Sequence, residues 1–142
     1  MDRLKLIALD AEDLAVVSAH VQDAVVRVGD LRWLAGEGRF VVVMNRFVWE
    51  KKHGPDERRR AVLHFDRVTA AQASGVRPER ADAVLSLLAV TFEPGEAPAG
   101  TIVLSFAGGG AIRLAAECIE ARLADVGGAW AARGRPLHDT AG

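Results

Sequence analysis

The stretch from Thr101 to Gly128 constrains the fold most strongly, because its apolar pattern changes from that of a strand pair to that of a helix. Apolar residues first alternate with polar or small ones around a glycine turn, as in half-buried strands, at Ile102, Leu104, Phe106, Ile112 and Leu114. From Ala115 onward they recur at helical spacing, at Ile119, Leu123 and Val126. The stretch therefore predicts a β-hairpin that leads into a C-terminal amphipathic helix, ended by Gly127.

The remainder of the chain predicts one further helix and an antiparallel sheet. Asp10 is a favoured N-cap, and the apolar residues after it recur at helical spacing, at Leu14, Val17 and Val21. Five segments carry the strand pattern: Val25 to Leu34, Arg39 to Trp49, Ala61 to Val68, Val84 to Phe92 and Thr101 to Phe106. The segment from Val84 to Phe92 is apolar on both faces, which predicts a strand covered on both sides. The stretch before it, from Thr69 to Asp82, is interpreted as a connection.

No helical pattern separates the central strands, which argues against a parallel sheet. We predict an α+β fold with an antiparallel meander sheet, an N-terminal helix and a C-terminal amphipathic helix. A partial barrel of pleckstrin-homology-like layout, with the last helix over its opening, fits this order of elements best. That comparison carries no function with it.

Composition predicts one domain in a reducing compartment. The chain has 142 residues and 50% hydrophobic content, enough for one core, so we expect a single globular domain over residues 1–130 and a surface-lying or flexible tail over residues 131–142. The formal net charge of -1 gives no global attraction to nucleic acid or to an anionic membrane. A lone Cys118, no signal-peptide pattern and no membrane-spanning run predict a cytoplasmic protein without membrane association.

Residues able to carry chemistry are few and dispersed. The four histidines lie in different predicted elements without metal-ligand spacing, so no metal and no cofactor are expected. His64 and Asp66 share one strand face and, with Arg46, form the candidate polar cluster of a small enzyme. No nucleophile accompanies them in the sequence, and we expect no catalytic residue among them.

Two further segments have both a structural and a ligand-binding interpretation. The glycines from Gly108 to Gly110 could cradle a phosphate, but they open into a strand rather than a helix, which favours a hairpin turn. The loop from Lys51 to Arg60 could contact a nucleic-acid backbone. Between Glu50 and Arg60 it carries five basic and three acidic residues, a small excess that favours a solvated loop over nucleic-acid binding.

The leading functional hypothesis is a non-catalytic binding or protein-interaction domain. Its basis is the strand from Arg39 to Trp49, which is apolar on both faces. The second face carries the candidate interface residues, Val41, Val43, Phe47 and Trp49. Since two amphipathic helices cannot cover every apolar sheet face, we expect a homo-oligomer or a protein partner.

Four segments together resemble an uncharacterised proteobacterial family defined by a domain of unknown function. They are NRFVWE at 45–50, VLSLLAVTF at 84–92, FAGGGAIRLAAECIEARLADVGGAW at 106–130 and RPLHD at 135–139. The resemblance covers nearly the whole chain. It implies no established activity, cofactor or catalytic residue.

Overall fold

The computed structural model describes residues 3–131, which form one α-helix and ten strands. The helix α1 is Ala11–Val21. The strands are β1 Lys5–Ala8, β2 Val25–Arg27, β3 Leu31–Leu34, β4 Arg39–Phe47, β5 Glu57–Phe65, β6 Val68–Ser74, β7 Val84–Pro94, β8 Gly100–Phe106, β9 Ala111–Ala116 and β10 Ala121–Ala131. Among the described residues no helix has the length and apolar character needed to cross a membrane.

All the strand pairings are antiparallel, which confirms the predicted sheet type. The order across the sheet is β1-β10-β5-β4-β2-β7-β8-β9-β6, with β3 also beside β4. The 3₁₀ turn Val28–Asp30 separates β2 from β3 and so divides the segment Val25 to Leu34, which the sequence predicts as a single strand. The sheet does not close, because β1 and β6 remain at its two ends.

The sheet bends sharply and encloses a single core. The bend, which we call the corner, lies where β5 passes into β6 and where β9 passes into β10. The N–H of Asp66 donates to the carbonyl oxygen of Glu120, and the N–H of Glu117 donates to that of Arg67, both at 2.9 Å. Leu63 of β5 and Leu114 of β9, which lie on opposite sides of the corner, are both fully buried in the same core.

The predicted N-terminal helix is confirmed. Asp10 caps it by accepting a hydrogen bond from the N–H of Asp13 at 2.8 Å. The helix packs against β7, β1 and β4. It buries the predicted apolar face, Leu14, Val17 and Val21.

The predicted C-terminal helix is wrong, because β9, a corner and β10 occupy its residues. Leu123 is buried between Leu6 of β1 and Leu63 of β5, whereas Val126 is 47% exposed. The inward residues follow a two-residue period, at Ala121, Leu123 and Asp125. The local spacing favours a helix, but backbone hydrogen bonds to β1 on one side and β5 on the other hold this segment as a strand. The pleckstrin-homology-like layout depended on that helix and is not supported.

Two smaller predictions also differ from the structure. The segment interpreted as a connection contains β6, whose small residues are held as a strand by pairing with β9. The strand predicted to be covered on both sides is β7, and it leaves Val84 62% and Leu88 39% exposed. The surface-lying or flexible tail stays a prediction, because residues 132–142 lie outside the described residues and its first residue, Ala131, is the last residue of β10.

Candidate functional site

The predicted polar cluster is divided between two faces of β4 and β5. His64 lies opposite Val41 on the outward side, whereas Arg46 lies opposite Arg59 and points inward. Five residues of strand separate the two positions along β4, which corresponds to about 17 Å. The structure therefore does not bring Arg46 to His64 and Asp66.

His64 and Asp66 remain neighbours. The Oδ1 atom of Asp66 accepts a hydrogen bond from Nε of Arg39 at 2.6 Å. Its Oδ2 atom lies 3.5 Å from Nδ1 of His64, a contact without hydrogen-bond geometry. Burial lowers the pKa of His64 and outweighs the opposing effect of Asp66. Burial therefore favours the neutral imidazole, which disfavours an ion pair with Asp66.

Arg46 instead occupies the centre of a buried ionic cluster. Its side chain is fully buried, and its guanidinium donates from Nε and Nη2 to Asp125 at 2.7 and 3.0 Å. The opposite edge donates from Nη1 and Nη2 to Glu50 at 2.9 and 2.7 Å. Asp125 also accepts from the N–H of Leu4 at 3.0 Å. Two bidentate carboxylates thus hold one guanidinium and connect β4 to β10 and to the start of the chain.

Sequence reasoning missed both partners of Arg46. In the sequence Glu50 borders the loop from Lys51 to Arg60, and Asp125 lies within the predicted C-terminal helix. The signal for Asp125 was its two-residue spacing from Leu123 and Ala121, which puts it on the inward side of a strand. That signal was hidden because the same residues also fit a helical period.

The stability of the protein is expected to fall in acid through this cluster. Burial alone would raise the pKa of Asp125, but hydrogen bonds from Arg46 and Leu4 outweigh it, so the pKa lies below its ordinary value. The pKa of Glu50 is lowered in the same way, against the effect of burial. A lowered pKa stabilises the fold above the unfolded value of about 4 and loses that effect as pH falls through the folded value. Urea unfolding from pH 7 to pH 2 should show this loss, and the Asp125→Asn variant should show a shallower pH dependence. Equal slopes would contradict it.

The predicted loop from Lys51 to Arg60 ends earlier than expected, because residues from Glu57 onward belong to β5, and its basic residues mostly contact other protein groups. Lys51 binds Glu57 at 2.6 Å. Arg58 donates to the carbonyl oxygens of Asp23 and Asn45 at 3.4 and 3.2 Å, and Arg59 is 5% exposed. Of the three consecutive arginines, Arg60 is the exposed one. The loop thus presents less free positive charge than its sequence indicates.

The four candidate interface residues also separate. Val41 and Val43 are half-buried on the outward side of β4. Phe47 is fully buried, and its ring centroid lies 4.6 Å from that of Trp49. The Trp49 indole donates to the carbonyl oxygen of Gln22 at 2.8 Å. Phe47 and Trp49 therefore pack within the protein, and Val41 and Val43 remain on a surface.

We call that surface the outer face: the outward sides of β1, β10, β5, β4, β3 and β2. Its centre is an apolar strip whose members neighbour one another across the strands, Val41, Val43, Val62 and Ala124. Three of the seven exposed large apolar side chains of the described residues belong to this face, Ile7, Leu34 and Val126, and a fourth, Val84 of β7, adjoins it opposite Arg27. Five exposed basic residues surround the strip: Lys5, Arg27, Arg32, Arg60 and Arg122.

Two depressions lie in the outer face. One, of about 360 Å³, has Arg27, Arg60 and Asp30 at its walls, with Val43 between them. The other, of about 250 Å³, is lined by Lys5, Ile7, Val62, His64 and Arg122, among others. The face is therefore uneven, with a basic group at the wall of each depression.

A separate apolar cavity of about 310 Å³ lies between β3 and β6, and we call it the slot. Leu31 and Trp33 line one side, and Ala71 and Ala73 line the other. Its remaining lining residues are Val28, Gly29, Phe40, Gln72, Val76, Pro78 and Ile112. No titratable side chain is among these described lining residues, so the slot suits apolar groups and not acid–base chemistry.

The glycine turn and the thiol have ordinary structural surroundings. Gly108 and Gly109 have φ values of 88° and 95°, and Phe106 donates to the carbonyl oxygen of Gly110 at 2.8 Å, closing the β8–β9 hairpin. Cys118 is a half-buried free thiol at the corner between β9 and β10. Within residues 3–131, no three His, Cys, Asp or Glu side chains are grouped to hold a metal ion.

Comparisons with known proteins give a family without an assigned activity. No curated protein and no solved structure is significantly similar to this chain. One family model matches residues 4–138, almost the full length, and its description is "Protein of unknown function (DUF2948)". The chain therefore belongs to the DUF2948 family.

Proposed function

We propose that the protein is a non-catalytic interaction domain whose outer face binds an acidic surface of another protein. The observation that carries this proposal is the ring of five exposed basic residues around the apolar strip. Protein interfaces commonly have an apolar centre inside a polar rim, with arginine enriched. Here both parts lie on one continuous sheet surface, and the exposed valines and isoleucine extend the apolar centre.

The charge of the outer face selects the kind of partner. Exposed basic side chains attract an acidic surface and speed its association, whereas they repel a second basic surface. In a twofold homodimer built on this face, the same patch would meet itself and bring the arginines together. Of the two expectations from the sequence, a protein partner is therefore favoured over a homo-oligomer. The proposed setting is the cytoplasm, where a lone thiol such as Cys118 stays reduced.

The two alternative functions have weaker support. The enzyme hypothesis required His64, Asp66 and Arg46 to act together, and Arg46 is instead enclosed by Asp125 and Glu50. A sheet that binds single-stranded nucleic acid offers aromatic side chains for base stacking. Among the described side chains assigned above to the outer face none is Phe or Trp, and the imidazole of His64 is the one aromatic ring.

Site-specific crosslinking in the native cytoplasm tests the proposal. A photoreactive phenylalanine derivative at Val43 should yield one abundant protein adduct, and the same derivative at Thr91, an exposed residue of β7 outside the outer face, should not. With the purified partner, Val43→Asp should raise Kd at least about tenfold by placing a charge at the apolar centre, which corresponds to about 1.4 kcal/mol. Arg60→Glu with Arg122→Glu should slow association and reduce its salt dependence.

Arg77→Glu is the matched control, because Arg77 is exposed but lies outside the outer face. It should leave both Kd and the association rate close to those of the unmodified protein. Equal amounts of adduct from Val43 and Thr91 would contradict the proposal. So would a partner whose association rate changes neither with salt concentration nor on replacement of Arg60 and Arg122.

A further inference from the structure

The slot offers a second binding site that is independent of the outer face. We propose that β6 accepts an extended peptide segment of a partner as an additional antiparallel or parallel strand, with alternate apolar side chains of that segment entering the slot. This mode of recognition combines main-chain hydrogen bonds to a strand edge with side-chain pockets beside it.

The edge of β6 is protected at its start and open over its second half. The N–H of Val68 donates to the carbonyl oxygen of Gly38 at 2.9 Å, and the pairing with β9 is irregular between Val68 and Ala70. From Ala71 to Ser74 the pairing with β9 is regular, and the described residues place no further strand beside it. β6 is the last strand in the sheet order, and within the described residues it pairs with β9 alone. Natural sheets protect such edges with charged side chains, prolines or very short strands. The seven residues of β6, VTAAQAS, contain no charge and no proline. By contrast β1, at the other end of the sheet, has four residues and carries Lys5.

The slot lies where the inward side chains of an added strand would point. Ala71 and Ala73 line it from β6, and their small side chains leave the space beside the edge open. Phe40 and Ile112 contribute to the apolar lining, while Trp33 lies on the far side. Since side chains alternate along a strand, every second residue of the peptide would enter the slot and the others would face water. Its volume of about 310 Å³ is large enough for apolar side chains rather than for a single methyl group.

A peptide explains both features of the site, whereas a lipid or another apolar small molecule explains one. Any apolar ligand gains free energy by filling the slot. From Ala71 to Ser74 the outer edge of β6 has no strand partner among the described residues, and only another polypeptide backbone supplies donors and acceptors at the spacing of a strand. Gln72, at the rim of the slot, supplies a polar side chain that suits the solvent-facing side of such a peptide.

Selection from a random twelve-residue peptide library displayed on phage tests the proposal with the full-length protein. Enriched peptides should share an alternation of apolar and polar residues. A synthetic copy of the strongest one should bind with one-to-one stoichiometry and slow hydrogen exchange at β6 amides. Two further copies are N-methylated, one at the odd-numbered and one at the even-numbered residues, so that each loses the N–H donors along one edge and keeps every side chain. The copy methylated along the edge that faces β6 should lose at least about tenfold in affinity, and the other copy should not.

Two matched variants locate the peptide. Ala73→Phe fills the slot and should abolish binding, while Ala70→Phe adds the same ring on β6 outside the slot lining and should still bind. Circular dichroism and urea unfolding check that both variants are folded. Val43→Asp should not affect the peptide, because it alters the outer face. Failure to enrich alternating peptides, equal affinity of both N-methylated copies and the parent, or equal binding by the two phenylalanine variants would each overturn the proposal.

Discussion

Replacing Arg46 with methionine is expected to lower the free energy of unfolding by about 3–5 kcal/mol, because removing one member of a buried ionic cluster leaves the others without compensation. Asp125 loses two hydrogen bonds in this variant, and its side chain is 1% exposed. Glu50 loses two as well, but its side chain is 37% exposed and can be hydrated. Most of the cost therefore comes from Asp125. Urea unfolding at pH 7 measures it.

A double variant and a surface control give this prediction its specificity. Arg46→Met with Asp125→Leu removes both buried charges and should recover most of the lost stability, since apolar replacement of a buried pair is often near neutral. Recovery should be incomplete, because the N–H of Leu4 loses its acceptor. Arg39→Met breaks the more exposed pair with Asp66 and should cost less than about 1 kcal/mol. Equal losses for Arg46→Met and Arg39→Met would show that Arg46 is not the buried centre of the cluster.

The sequence predicted those elements whose pattern has a single interpretation. Asp10 followed by apolar residues at helical spacing gave α1, and the alternation around Gly108 to Gly110 gave the β8–β9 hairpin. β6 was missed because alanine and serine carry no apolar alternation, and pairing with β9 supplies what the sequence lacks. Local propensity decides an element only where tertiary partners do not.

The sequence predicted the apolar part of the outer face and missed its basic rim. The difference arises because neighbours on one strand can be read from the sequence, whereas neighbours on different strands depend on the register of the sheet. Val41 and Val43 were identified from one strand, because alternation within that strand shows which residues share a side. The basic rim could not be identified in this way. Lys5, Arg27, Arg32, Arg60 and Arg122 come from five different strands, and only the order and register of the sheet place them around one strip.

Leu123→Ala is expected to cost about 2–5 kcal/mol, whereas Val126→Ala should change stability by no more than about 0.5 kcal/mol. The two residues would lie on the same buried face of the helix that the spacing predicts. In the strand they differ, because Leu123 is 1% exposed and Val126 is 47% exposed. Truncating Leu123 leaves a cavity beside Leu6 and Leu63 of the neighbouring strands, and that cavity adds to the lost burial.

The same pair of variants therefore distinguishes the two structures of this segment by urea unfolding alone. If the segment is the strand β10, Leu123→Ala should lower the free energy of unfolding by a large amount and Val126→Ala should hardly change it. The m value should be the same in both variants, because the surface exposed on unfolding barely changes. Leu63→Ala serves as the reference, since Leu63 is fully buried directly opposite Leu123. Combining it with Leu123→Ala should give a non-additive loss, because the two side chains share one space in the core. Similar losses at Leu123 and Val126, with additive behaviour between Leu63 and Leu123, would instead indicate a helix that packs both residues against the sheet.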